Sequence, residues 1–161
     1  MTDIFTRTEL NPIKLTEMLE ELENTVELHS ISVRYKGETV LEGAWAPFSL
    51  NEPQMMHSLS KIGTSICVGF AVDEGKLHLE DHFLDYVREE LPASYDEALE
   101  DITIYDLLTM QAGSKECCNN VWFSRIKKDW ETNWLKQPKI REDIGKAFHY
   151  DSGCSYTLSR I

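Results

Sequence analysis

Basic residues are in short supply in this 161-residue chain: 16 Lys and Arg stand against 28 Asp and Glu, leaving a formal charge of −12. Such a surface repels polyanions, which excludes nucleic acid and anionic membranes as partners. No apolar run approaches the ~20 residues that span a bilayer. Residues 1–10 carry neither a basic n-region nor an apolar h-region, so the expectation is a cytoplasmic chain without a secretory leader. Cysteine is sparse and poorly spaced for metal or redox work. Cys117 and Cys118 are adjacent, Cys67 and Cys154 stand alone, and no Cys-x-x-Cys occurs. Histidine is scattered as well. Only His78 and His82 have an i, i+4 spacing, and they straddle a turn, so neither a metal nor a cofactor is expected. Repeats and Pro- or Gly-rich linkers are also missing, which leaves residues 1–161 as part of one domain.

What is present reads as a mixed α+β chain. Asn11 and Pro12 supply an N-cap and an N1 proline, and Ile13, Leu15, Leu19, Leu22 and Val26 follow at helical spacing. Ile31, Val33 and Tyr35 alternate as a strand, Lys36-Gly37-Glu38 turns the chain, and residues 40–45 return beside it. Helices are expected near 60–74, 82–86, 104–110, 124–136 and 154–161. Trp45, Trp122, Trp130 and Trp134 read as packing residues, and Tyr105-Asp106 as a cap with its packing neighbour.

The chemistry sits at Ser58-Leu59-Ser60-Lys61, where a hydroxyl and an amine three residues apart open an apolar helix. Residues at that spacing share one face, and a serine hydroxyl is a poor nucleophile without a neighbouring base. A second Ser-x-x-Lys, Ser124-Arg125-Ile126-Lys127, lies in a polar amphipathic stretch and lacks that context. The run Ile62, Ile66, Cys67, Val68, Phe70, Ala71, Val72 after Lys61 predicts a helix buried on most of its circumference. A lysine at its mouth sheds hydration and can accept a proton.

Three blocks in order resemble the serine β-lactamase and penicillin-binding-protein superfamily, and within it the class C β-lactamase-related esterases and peptidases. Residues 56–79, with the stretch Glu74-Gly75-Lys76-Leu77-His78-Leu79-Glu80-Asp81 that runs on from the helix, are similar to the nucleophile helix and its "EGKL-x-L-D-D" turn. Residues 102–114 are similar to the "IT-x-x-x-LLTH-x-SG" block, and Tyr150-Asp151-Ser152 resembles the Tyr-x-Asn motif. The resemblance implies a β-lactamase/transpeptidase-like fold with Ser58 as acylated nucleophile, Lys61 as proton acceptor and Tyr150 as the group that shuttles the proton to the leaving atom. Ser152, in the asparagine's place, is implied in substrate binding. The implied substrate is a small molecule or peptide-like ester, amide or β-lactam.

The family's third motif, Lys-Thr-Gly or His-x-Gly on an inner strand, does not follow Tyr150 within these 161 residues. That strand gives one oxyanion donor, whose loss costs about 3–4 kcal/mol. The reading is therefore the N-terminal part of a serine hydrolase, incomplete in this form. A non-catalytic ligand-binding or regulatory derivative and an inactive remnant stay open beside it. The hairpin would belong to a five-stranded sheet, and alone it offers an unpaired edge to another copy. Light scattering over a dilution series is expected to show a concentration-dependent oligomer, and a constant monomer mass speaks against that edge.

Overall fold

The computed structural model describes residues 11–117 and 134–161. The chain divides into two compact units, Met1–Met55 and Met56–Ile161. In the first, helix α1 (Pro12–Thr25) starts where the Asn11 side chain accepts from the Ile13 N–H at 2.9 Å. It buries Leu15 and Leu19, a narrower stripe than the apolar spacing suggested. Strands β1 (Ser30–Tyr35) and β2 (Glu38–Ala44) pair antiparallel from Ser30↔Ala44 to Tyr35↔Glu38, with a register irregularity between Val33 and Arg34. The joining Lys36 and Gly37 have φ of 50° and 81°. Two successive left-handed residues match the strand twist in a two-residue hairpin. Among the described residues the sheet holds these two strands alone.

The second unit is built around Phe83, Leu84, Leu99, Ile102, Ile104 and Leu107, all fully buried. Among the described residues, helices α2 (Lys61–Asp73), α3 (Leu84–Val87), α4 (Ile104–Leu108) and α5 (Ser152–Leu158) frame it. Helix α4 begins in a full capping box, with Thr103 Oγ1 accepting from the Asp106 N–H and the Asp106 carboxylate accepting from the Thr103 N–H. Asp106 thus takes part in the cap expected of it, with Thr103 as the N-cap, whereas Tyr105, expected to pack beside it, is 51% exposed. Trp134 meets Phe83 edge-on at 6.1 Å and closes the core from the far side. The helix expected over 124–136 falls mostly outside the described residues, as do Ser124, Trp122, Trp130 and Cys118; its last residues, 134–136, are helical.

Two expectations need correction. Helix α2 is not buried on most of its circumference: Val68 alone is buried, backed by Ala71 and Val72, while Ile62, Ile66 and Phe70 are 54%, 53% and 64% exposed. Apolar content predicts burial without saying which neighbour supplies the cover, and the core of this unit covers one side only. Helix α5 starts at Ser152, two residues ahead of the expected position, because the Asp151 side chain caps it by accepting from the Gly153 N–H at 2.9 Å. Among the described residues no helix is long and apolar enough to cross a membrane.

The loop before α3 is held by Asp81, whose Oδ2 accepts from the Tyr86 hydroxyl and from the His78 N–H at 2.7 Å. That bond, helped by burial, pushes the Tyr86 phenol up from 10.0 to about 12. A pKa raised on folding contributes stability that is complete below pH 10.0 and lost as pH climbs through about 12. Replacing Tyr86 by Phe is expected to flatten the loss of denaturant resistance between those two pH values. Equal alkaline slopes in both proteins would count against the bond.

Candidate functional site

Ser58 lies in a tight 3₁₀ turn, His57–Ser60, that runs directly into α2 at Lys61. In a 3₁₀ turn residues i and i+3 eclipse one another, so Ser58 and Lys61 are aligned more closely than an α-helical turn would bring them. The Lys61 Nζ donates to Ser58 Oγ at 3.0 Å. His57, immediately before the serine, has φ of 45°, and its carbonyl accepts from Ser60 Oγ at 2.7 Å. Residues other than glycine in the left-handed region carry strain of ~1–3 kcal/mol, held by the surrounding structure. Here that distortion presents the Ser58 side chain at the exposed mouth of the helix.

Tyr150 reaches the same oxygen from a position 92 residues away, its hydroxyl donating to Ser58 Oγ. The Lys61 ammonium also lies 5.2 Å from the Tyr150 ring centroid. Lys61 first, then Ser58, holds the Tyr150 phenol below its usual 10.0, against a smaller upward push from burial, and Ser152 adds to the lowering. One oxygen thus has an amine and a phenol on it, and the four residues singled out from sequence, Ser58, Lys61, Tyr150 and Ser152, stand together.

The Beta-lactamase family model matches residues 27–159. The chain belongs to that family. A solved structure from Bacillus anthracis, provisionally assigned as a 6-aminohexanoate-dimer hydrolase, is similar in fold, with a TM-score of 0.58 and 20% identity. The match covers 87% of this chain and 40% of that protein, so the chain spans well under half of its length. No curated protein sequence matches significantly.

In this β-lactamase-family chain the block at residues 102–114 is scaffold for the Tyr150 loop. Met110, at φ 58°, offers its carbonyl to the His149 N–H at 2.9 Å, and the Gly113 carbonyl accepts from the Ile140 N–H at 2.8 Å. Gly113 cannot carry a side chain, because a Cβ would lie 2.6 Å from the Ile140 carbonyl oxygen. Next to it, Ser114 points inward to Asp151. Asp151 was not singled out from sequence, yet it is wholly buried and its Oδ2 accepts from both Ser114 Oγ and Trp134 Nε1 at 2.6 Å. Lys139, 9% exposed, donates to Ser114 Oγ at 3.2 Å and lies 4.0 Å above the Trp134 ring. Asp151 could have been read as the N-cap of α5; its partners, 37 and 17 residues away, leave no local spacing to read.

A cavity of about 520 Å³ opens elsewhere, between α2 and α5, lined by Thr64, Cys67, Val68, Leu77, Tyr86 and Leu158. Its walls are mostly apolar, with Thr64, Lys76, Tyr86 and Ser159 among them, and include none of the residues around Ser58 Oγ. Between His78 and His82, Asp81 is engaged by Tyr86, and no cluster of three metal-ligating side chains forms among the described residues.

Gly153 admits the Trp134 indole against its Cα, and a Cβ there would overlap the indole nitrogen. Gly153→Ala is expected to lower stability by about 1–3 kcal/mol or more, read as a fall in the urea midpoint. An unchanged midpoint would mean that the indole is free to move away.

Proposed function

We propose that this is a serine hydrolase domain acting on an ester, amide or β-lactam carbonyl through an acyl-Ser58 intermediate. The observation that carries the reading is the convergence of Lys61 Nζ and the Tyr150 hydroxyl on Ser58 Oγ. Two groups that hold protons on one nucleophile become a base when the pair is short of one proton, and the lowered Tyr150 phenol favours that form at a less alkaline pH than a free tyrosine would. The pair then takes the Ser58 proton as Oγ attacks the carbonyl carbon, onto the Tyr150 phenolate where Lys61 is the ammonium and onto Lys61 where its amine is free. Tyr150 relays it to the leaving oxygen or nitrogen, so the departing alcohol or amine leaves neutral. Water, deprotonated by the same pair, attacks the ester and returns Ser58. Ser152, at the first turn of α5 beside Tyr150, is proposed to hydrogen-bond the substrate, a role its nearness to the Tyr150 hydroxyl supports.

The 6-aminohexanoate-dimer hydrolase name given to the Bacillus anthracis structure suits this chemistry, and full turnover would draw on the oxyanion donor that the resemblance assigns to the third motif. Formation of the acyl-serine is therefore the direct test. Incubation with a fluorescent penicillin or a fluorophosphonate is expected to give one adduct by intact mass, present in Ser124→Ala and lost in Ser58→Ala. Tyr150→Phe is expected to slow labelling by about 10²- to 10⁴-fold. An adduct that survives Ser58→Ala overturns the assignment. No adduct on a folded chain favours a ligand-binding derivative instead.

A further inference from the structure

We propose that Asp151 is a positioning residue for this site: its buried carboxylate, anchored to Ser114, Trp134 and the Gly153 backbone, fixes where the Tyr150 hydroxyl meets Ser58 Oγ. The inference rests on the catalytic reading of Tyr150. Packing does little to hold that tyrosine, because Tyr150 is 42% exposed and Phe148, two residues before it, is 65% exposed. The backbone ties flanking it are His149 N–H to the Met110 carbonyl at 2.9 Å and Asp151 N–H to Met110 Sδ at 3.3 Å. On the other side the chain turns inward at Asp151, whose side chain is wholly buried. Consecutive Cα atoms are ~3.8 Å apart, so a shift of Asp151 passes to Tyr150 almost undiminished.

The anchor depends on a carboxylate and not on an amide of the same shape. Oδ2 accepts from Ser114 Oγ and Trp134 Nε1, and Oδ1 from the Gly153 N–H. Asparagine offers one acceptor oxygen and a donor group, so whichever way it is turned, a donor faces a donor. Lys139 supplies the positive charge on the far side of Ser114 and Trp134. From α2 the charged group facing Tyr150 is Lys61, from α5 it is faced by the Ser152 hydroxyl, and the nearest further pair is His149 with Asp143 at 3.4 Å.

The test is an ultraviolet difference titration of the Tyr150 phenol, isolated by subtracting Tyr150→Phe, in the unsubstituted chain and in Asp151→Asn. Loss of a nearby negative charge by itself would ease ionisation of the phenol. Displacement of the hydroxyl from Lys61 has the opposite sign, so the midpoint is expected to rise toward 10.0. Labelling of Ser58 is expected to fall about 10- to 100-fold, the cost of an ångström of misplacement. Asp151→Asn/Lys139→Met, which removes both charges, covers the case where the single variant does not fold, and Ser114→Ala offers a milder loosening of the anchor. Leu158→Ala, buried on α5 outside the network, should lower the melting temperature without moving the midpoint. The proposal is overturned if the Tyr150 midpoint stays or falls in a folded Asp151 variant, or rises equally in Leu158→Ala. If the chain is never labelled at Ser58 while the midpoint rises as described, the positioning role stands and the hydrolase reading falls.

Discussion

Burying a carboxylate is unfavourable unless donors and a countercharge come with it, and Asp151 brings three separate stretches of chain together to meet that demand. Ser114 arrives from the loop after α4, Trp134 from the helical residues 134–136, and the Gly153 N–H from the first turn of α5. Lys139 closes the group with a nearly buried cation. Several otherwise arbitrary residues follow from this convergence. Gly153 is bare because the indole rests on it, Gly113 because the Ile140 carbonyl crosses it, and Ser114 is small enough to sit between carboxylate and ammonium. The exposed Tyr150 is the surface end of an interior arrangement.

The nucleophile turn answers to a different constraint. Its geometry is set within a few residues: the left-handed His57, the Ser60 hydroxyl on the His57 carbonyl, and the eclipsed Ser58 and Lys61. The site is therefore a meeting of one locally determined piece and one held from a distance, which suits the proposed proton relay, whose members must approach within hydrogen-bond range without sharing a helix.

That division decides what could be read from the residues. The Ser-x-x-Lys pair, the Asn11-Pro12 start, the hairpin about Lys36-Gly37 and the capping part of Asp106 all depend on neighbours within four positions and were legible, whereas Thr103, its partner in the capping box, was not singled out. Tyr150 was legible only through resemblance, since nothing near it in sequence marks it as a partner of Ser58. Asp151 escaped because its role is written in Ser114, Trp134 and Lys139, which no periodicity connects. The apolar run of α2 was read correctly as a helix and wrongly as one enclosed on most sides, because composition reports how much a face prefers to be covered and not whether a cover is at hand. Ile62, Ile66 and Phe70 show the difference on three successive turns.

The separation of 92 residues between Ser58 and Tyr150 also fixes when the proposed Ser58–Lys61–Tyr150 arrangement can be completed. Chains emerge from the ribosome N-terminus first, and domains fold as their residues appear. The α2 turn can form early, since its contacts are local, but the hydroxyl that completes it belongs to a segment synthesised much later, and closing so long a loop is entropically costly until the core around Trp134 exists to reward it. During synthesis the serine therefore stands beside its lysine without the phenol. On the proposed reading, exposure of Ser58 and its competence are separated in time, so a half-made chain presents the serine in an unarmed form.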